Sequence, residues 1–292
     1  MIVHVAAAGE SRGRVVLQLG AGEPSLVALE AAVRVAQAFN SEIESLFVES
    51  QQLLQMASYP FAREISLTGR SSRSICSADI ERDLRLVSQA IHRKLDALAR
   101  AAEVPLRQSI VRSEPMEAMA RACAECGPWN VLALGHPFGP GSPQSLSSIL
   151  ETVSDVTGIV IVGPKGRRTE GPVILAIEDE HRLPGMLAAG ERLAPLCAPA
   201  GTPGEIILLL IGSSLDQLAV LDQQVRLVAS DRENLRIVPL DMRHGAESVV
   251  AETLRRLAGG FVIAALGGLV VPGESDLRPL AAALECPLFL VR

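Results

Sequence analysis

Glycine, proline and serine are concentrated in one segment of the chain, residues 130–164. An apolar run at 131–134 is typical of a buried strand, and a second apolar run at 159–162 closes the segment. Between them lies a loop rich in glycine and proline, followed by an amphipathic stretch that contains Ser147 and Ser148. A glycine-rich loop that leads into a helix presents free backbone N–H groups and the positive end of the helix dipole, which suits a phosphate group. The segment therefore predicts one half of a nucleotide-binding α/β unit.

The candidate ligand contacts in this segment are Gly135, Gly139, Gly141, Ser142, Ser147 and Ser148. Three prolines in the loop, at positions 137, 140 and 143, have no backbone N–H to donate. The alternative is a glycine-rich loop that only turns the chain, and the prolines favour this alternative.

The remaining elements predict a sheet that could position such a loop. Apolar runs and amphipathic stretches alternate along the chain, which is typical of parallel strands joined by right-handed helical crossovers. Residues 15–17 match 173–175 at an offset of 158, and residues 133–135 match 265–267 at an offset of 132. A repeat of this length indicates a duplicated domain. We expect two tandem α/β domains, each a doubly wound, Rossmann-like five-stranded parallel sheet, over residues 1–164 and 172–292, with a short linker at 165–171.

Residues 51–78 interrupt the pattern. They show no clear period, so we expect an excursion outside the common core with about one helical turn. The arginines at 63, 70 and 73 could close over a ligand as a lid. A solvated loop is the favoured interpretation of this segment.

The composition excludes several classes of protein. With 292 residues, 48% of them hydrophobic, the chain can form about two domains of roughly 150 residues each. A net charge of -6 provides no basic face for nucleic acid, and no apolar run is long enough to span a membrane. The N-terminus lacks the basic-then-apolar order of a signal peptide. We therefore expect a cytoplasmic protein.

The segment at 17–39, LQLGAGEPSLVALEAAVRVAQAF, resembles the first strand and helix of the universal stress protein family. The glycine-rich loop, Ser147 and Ser148, and the closing run IVIV follow in the family's order. The resemblance covers both halves of the chain. It implies five parallel strands between helices, with a ligand at the carboxyl ends of strands one and four. The resemblance thereby adds Gly20, Ala21 and Val48, at the ends of the first and second predicted strands, to the candidate contacts. Many members of this family bind ATP, and others do not.

The first half departs from the pattern of the ATP-binding members. Those members usually carry Asp at the end of strand one, where this chain has Gly20. Their phosphate motif has two residues between its first glycines, whereas three separate Gly135 from Gly139 here, and Ser147-Ser148 stands where Gly-Ser is expected. The resemblance therefore implies at most weak binding of ATP or AMP, about one per chain, in the first half.

The second half departs further. Glu178 and Asp179 lie near the end of its first strand and could partly replace the missing Asp. After Gly267 and Gly268, however, the chain reads LVVPGESD, and its two carboxylates would repel a phosphate. We expect no nucleotide in this half.

Two other features favour structural roles. Cys123 and Cys126 form a CxxC pair at the end of a predicted helix, whereas a redox pair needs its first cysteine at a helix N-terminus. We expect ordinary reduced thiols and, without a second pair, no zinc site. His136 could touch a phosphate, but it has no acid or base partner in the motif.

The sequence thus favours a universal-stress-type binding or regulatory protein of the stress response, without turnover chemistry. The two halves should pack as an intramolecular pseudo-dimer through their closing strands, and the chain could also form a homodimer. The alternatives are a slow ATPase or nucleotidyl-transfer enzyme of the wider α/β superfamily, and a nucleotide-free interaction scaffold. The sequence does not identify a protein partner.

Overall fold

The computed structural model has an α/β fold organised around one ten-stranded sheet. The structure describes residues 13–20, 24–66, 68–124, 130–134, 149, 151, 156–229, 232, 234–242, 247–271 and 277–292. The first half of the large sheet contains β1 (Arg14–Leu19), β2 (Glu42–Ser50), β5 (Leu106–Ser113), β6 (Asn130–Leu134) and β7 (Gly158–Ile161). The second half contains β8 (Val173–Ile177), β9 (Ile206–Gly212), β10 (Leu235–Asp241), β11 (Phe261–Ala265) and β12 (Leu288–Val291). A separate hairpin contains β3 (Arg63–Ile65) and β4 (Ser72–Ser74).

The helices of the described ranges lie between these strands. They are α1 (Leu26–Ala38), α2 (Gln51–Ser58), α3 (Ser77–Ala101), α4 (Pro115–Ala124), α5 (Leu183–Cys197), α6 (Leu215–Ala229), α7 (Glu247–Leu257) and α8 (Arg278–Ala283). Ser25 is the N-cap of α1 and accepts a hydrogen bond from the Ala28 N–H at 3.2 Å. Pro24 directly precedes this N-cap, two residues before the first residue of the helix.

The order of strands across the large sheet is β10-β9-β8-β11-β12-β7-β6-β1-β2-β5. All neighbours are parallel except β7 and β12, which pair antiparallel from Gly158–Val291 to Ile161–Leu288. Two sets of five parallel strands are thus joined into one sheet, and the predicted α/β fold is confirmed. The predicted contact through the closing strands is present, as a continuous hydrogen-bonded seam.

The burial of the strands follows from their position in this sheet. β9 reads IILLLIG and is buried at every residue, as expected for a parallel strand covered on both faces. The edge strands β5 and β10 are more exposed and more polar. Pro239 lies in β10, where a missing N–H does not interrupt the sheet because one side of an edge strand is unpaired.

Alternate residues of the central strands enter two hydrophobic layers. Leu17 and Leu175 lie in one layer, whereas Val16 and Ile174 lie in the other. Each layer contains residues of both halves, so the core continues across the seam.

The strand register corrects one of the repeat offsets. Val15 pairs with Val131 in the first half, and Val173 pairs with Phe261 in the second. Val131 therefore corresponds to Phe261, a difference of 130 rather than the predicted 132. A shift of two residues leaves the same side chains on the same face of a strand, so the apolar pattern does not detect it.

The excursion at 51–78 has more structure than predicted. α2 has 8 residues, capped by the Ser50 hydroxyl, and the β3–β4 hairpin follows. Arg63 donates to the Ser72 hydroxyl at 2.8 Å, and Arg73 pairs with Glu64 across the hairpin. These two arginines therefore fasten the hairpin rather than reach into a cleft.

The segment at 165–171 is packed against α1. The Thr169 hydroxyl donates to Glu30 at 2.8 Å, and the Thr169 carbonyl accepts from Arg34 at 2.7 Å. Arg34 also donates to the Leu196 carbonyl at 2.6 Å, at the end of α5. The predicted linker thus contributes to the contact between the two halves.

Candidate functional site

The structure describes two of the predicted first-half contacts, Gly20 and Val48. Gly20 directly follows β1, and a Cβ placed there would meet no described atom closer than the Gln18 Nε2, at 3.9 Å. The Val48 side chain is 3% exposed and belongs to one of the two core layers. The Val48 side chain is therefore packed within the core, and its predicted role in ligand binding stays a prediction.

The other predicted contacts lie outside the described residues. These are Ala21, Gly135, Gly139, Gly141, Ser142, Ser147 and Ser148. His136, Glu274, Asp276 and Cys126 also lie outside them. The predicted phosphate loop of the first half therefore stays a prediction.

A cleft of about 380 Å³ lies at the carboxyl ends of β8, β9 and β11, in the second half. This is the topological position at which parallel α/β sheets bind ligands. Its walls are formed by Ala176, Glu178, Asp179, Arg182, Met186, Ser213, Gln217, Ala265, Gly267, Gly268 and Leu269. The cleft combines carboxylates, one guanidinium and amide groups over an apolar floor.

The Glu178 carboxylate is bound by the loop that follows β11. The Val270 N–H donates to Oε1 at 2.8 Å, and the Leu269 N–H donates to Oε2. The Glu178 carboxylate is thus already engaged within the protein, and the expectation that it could partly replace the missing Asp stays a prediction. Asp179 is also engaged, since Oδ1 accepts from the His181 N–H at 2.9 Å.

The glycines of this loop fit around the carboxylate. A Cβ at Gly268 would overlap Oε2 of Glu178. Gly267 has a φ of +78°, a left-handed conformation that glycine adopts without the steric cost of a side chain. The Gly267 N–H donates to the Val271 carbonyl at 2.8 Å and closes the turn. Glycine is thus required at these positions by the approach of Glu178 and by the turn.

The other polar groups of the cleft are bound within the protein. Gln217 Oε1 accepts from the Ser213 N–H at 2.9 Å, and its Nε2 donates to the Glu178 carbonyl at 3.3 Å. Arg182 donates to the Leu266 carbonyl at 3.2 Å. The Gln217 amide thus has a protein partner at both its oxygen and its nitrogen, whereas the exposed Arg182 uses one of its five N–H groups in this contact.

Burial raises the pKa of the Glu178 carboxyl above its usual value. The N–H groups of Val270 and Leu269 and the charge of Arg182 act in the opposite direction. The loss of hydration therefore outweighs these three favourable contacts in the ionised state.

Strand register places Glu178 and Gly20 at equivalent positions. Each directly follows the last residue of the first strand in its half, Ile177 in β8 and Leu19 in β1. The signal was present in the sequence, since 158 residues separate the two positions, as they separate the matched strands. The pattern could not show that the side chain turns into the loop.

Three of the described cysteines, Cys123, Cys197 and Cys286, are buried. Cys123 lies at the end of α4. Burial raises the pKa of Cys197 to about 11 and that of Cys286 to about 12. A thiol nucleophile needs a lowered pKa, so these two residues are suited to packing.

Comparison with solved structures identifies the class of fold. A universal stress protein from Archaeoglobus fulgidus matches with a TM-score of 0.56 and 10% identity, over 95% of this chain and 96% of that chain. A candidate universal stress protein from Pseudomonas aeruginosa matches with a TM-score of 0.53 and 15% identity, over 96% of this chain and 93% of that chain. The cytoplasmic domain of a prokaryotic cation chloride cotransporter matches with a TM-score of 0.56 and 11% identity, over 96% of this chain and 95% of that chain.

No protein-family model matches the chain, and no curated protein matches it. The similarity therefore establishes the fold. The chain is an α/β protein with two sets of five parallel strands, and this is the fold of universal stress protein structures. The resemblance seen in the sequence is confirmed at this level. Within the described ranges, no helix is both long and apolar enough to cross a membrane.

Proposed function

We propose that this chain is a universal-stress-type binding and regulatory protein with one weak adenine-nucleotide site, for ATP or AMP, in its first half. The observation that carries the proposal is the contrast between Gly20 and Glu178. The position after β1 carries no side chain, whereas the equivalent position after β8 bears a carboxylate that binds the adjoining loop.

The chemistry of the second cleft supports this asymmetry. A phosphate entering it would have to displace the Glu178 carboxylate from the Leu269 and Val270 N–H groups. It would then lie beside the charges of Glu178 and Asp179, and like charges at short range repel. Arg182 provides a compensating cation, but it is already a donor to a backbone carbonyl.

The proposed affinity in the first half is low. An acidic residue after β1 would supply a charge-assisted hydrogen bond, worth about 1.5–3 kcal/mol, which Gly20 does not provide. The loss corresponds to about one to two decades in the dissociation constant. We propose that the two units span residues 1–164 and 172–292, and that the protein acts in the cytoplasm.

A nucleotide-free interaction scaffold is the second candidate. It is favoured by the internal satisfaction of the polar groups in the described cleft. The fold alone does not decide between the candidates, because one fold hosts different functions and the similar cotransporter domain is part of a transport protein.

Calorimetric titration of the full chain with ATP and with AMP tests the proposal. We expect about one nucleotide per chain, with binding reduced by Gly139→Asp, which places a carboxylate in the predicted first-half loop. Asp179→Asn, a change in the second cleft, should leave binding unchanged. Loss of binding in Asp179→Asn, with binding retained in Gly139→Asp, would place the site in the second half and contradict the proposal. Absence of heat, together with no nucleotide in the native protein by mass spectrometry, would favour the scaffold.

A further inference from the structure

The loop at 266–271 directs two consecutive backbone N–H groups, those of Leu269 and Val270, at the two oxygens of one carboxylate. Such paired donors are the usual protein ligands of an oxyanion. The carboxylate comes from Glu178, which is 92 positions from Val270 in sequence. The contact therefore joins β8 to the loop after β11.

We propose that this loop is an oxyanion-binding site whose resident occupant is the Glu178 carboxylate, and that an external carboxylate or phosphate can take its place when that side chain is removed. The site is a property of the second half and does not depend on whether the first half binds a nucleotide.

The fit of the loop around Glu178 supports this assignment. A side chain at Gly268 would overlap the carboxylate, so the backbone approaches the anion as closely as glycine permits. The charge of Arg182 acts to lower the pKa of this carboxyl, although burial raises that pKa overall. The two amides and the close approach at Gly268 are the oxyanion contacts of the described part of the loop.

Competition explains why the intact chain should not take up an external anion here. Glu178 is part of the same chain, so it binds the loop without the loss of translational and rotational freedom that a separate molecule incurs. The neighbouring Asp179 adds a like charge that disfavours a second anion. An external oxyanion gains access only when the resident carboxylate is absent.

Chemical rescue of Glu178→Ala tests the proposal. The readout is hydrogen exchange at the Leu269 and Val270 amides, with the amides of β8 and β9 as an internal reference for folding. We expect protection at the two loop amides to fall by about ten- to a hundredfold, because each loses a hydrogen bond to a charged group. Added acetate or inorganic phosphate should restore protection, whereas chloride at equal ionic strength should not.

Two further variants keep the test decisive. Asp179→Ala removes the neighbouring carboxylate and should retain the protection of the intact chain. Glu178→Gln retains one acceptor oxygen and should show an intermediate loss. Unchanged protection in Glu178→Ala, or equal recovery with chloride, would overturn the proposal. If the reference amides of Glu178→Ala also lose protection, that variant has unfolded in part and Glu178→Gln becomes the test. Full protection of the Leu269 and Val270 amides in Glu178→Gln, with no effect of added anion, would overturn the proposal.

Discussion

The two halves of the molecule differ in the residue that directly follows their first strands, β1 and β8. In the first half the equivalent position is Gly20, which has no side chain. In the second half the side chain of Glu178 returns to the sheet edge and binds the loop after β11. The same topology thus carries a residue without a side chain in one half and an internal carboxylate ligand in the other. The comparison teaches that one residue can bind the neighbouring loop while the strands around it stay the same.

Replacement of Phe289 should give the largest effect, since it tests whether the halves are stabilised together. Phe289 is 3% exposed in β12, at the seam, and its ring contacts that of Phe39 edge-on, with centroids 6.1 Å apart. Phe289→Ala should lower the free energy of unfolding by about 3–5 kcal/mol. Urea unfolding should show one transition that shifts as a whole.

Phe61→Ala, at a residue that is 78% exposed, is the control and should change stability by about 0.5 kcal/mol or less. Two transitions, of which only one shifts, would show that the halves unfold separately.

Gly20→Asp sharpens the comparison from the side of the first half. It restores the acidic group that the resemblance leads one to expect after β1, so ATP affinity should rise by about one to two decades. Calorimetry measures the dissociation constant directly. Gly20→Asn, which has a similar shape without the charge, should give a smaller gain. An unchanged dissociation constant in Gly20→Asp would contradict the assignment of the site.

Gly268→Ala addresses the second half. The added methyl would overlap the Glu178 carboxylate, so we expect a loss of about 1–3 kcal/mol in the free energy of unfolding. Gly20→Ala, whose Cβ would lie 3.9 Å from Nε2 of Gln18, the nearest described atom, should cost about 0.5 kcal/mol or less. In a Glu178→Ala background the cost of Gly268→Ala should shrink, and a double-mutant cycle measures this coupling. Additive costs would mean that the two residues do not compete for the same space.

The smallest expected effect is the pH dependence that Glu178 contributes. Its pKa is raised in the folded state, so the native protein holds this proton to a higher pH than the unfolded chain does. The stability from the protonated carboxyl is present below the unfolded pKa and is lost as pH rises through the folded pKa. The free energy of unfolding of the intact chain, relative to Glu178→Gln, should therefore fall with rising pH across that window. A rise over the same window in urea titrations would mean that the two N–H groups and Arg182 outweigh the loss of hydration.

Much of the fold could be predicted because buried parallel strands are uniformly apolar. The run at 206–212 is a strand in any arrangement that buries both faces, and the strand and helix order then restricts the topology. The seam was predictable only as a contact between closing strands. Its antiparallel pairing depends on hydrogen bonds between β7 and β12, for which the sequence has no marker.

The site was less predictable. The position of Glu178 could be predicted from its match to Gly20. Its role could not, because it depends on a hydrogen bond to a loop about 90 residues later in the sequence, which lies beside β8 only because β11 pairs with that strand. The hairpin at 63–74 was missed because its strands have 3 residues each, too few for an alternating pattern to show. The predicted repeat offset of 132 differs from the observed 130 by two residues. A shift of two leaves every side chain on the same face of its strand, so the apolar pattern matches equally well at both offsets.

The antiparallel pairing of β7 with β12 means that each half of the protein covers the sheet edge of the other. If either half were alone, its closing strand, which is largely buried in the intact protein, would become an edge strand. The N–H and C=O groups on one side of that strand would then lack partners. Each such edge is satisfied by the opposite fragment, and the contacts of Arg34 with Thr169 and Leu196 bring α1 and α5 into register beside it. A cut in the segment at 165–171 would therefore leave the halves associated. Halves produced as separate chains would associate as a heterodimer or, lacking the partner, pair through the same edge with a copy of themselves.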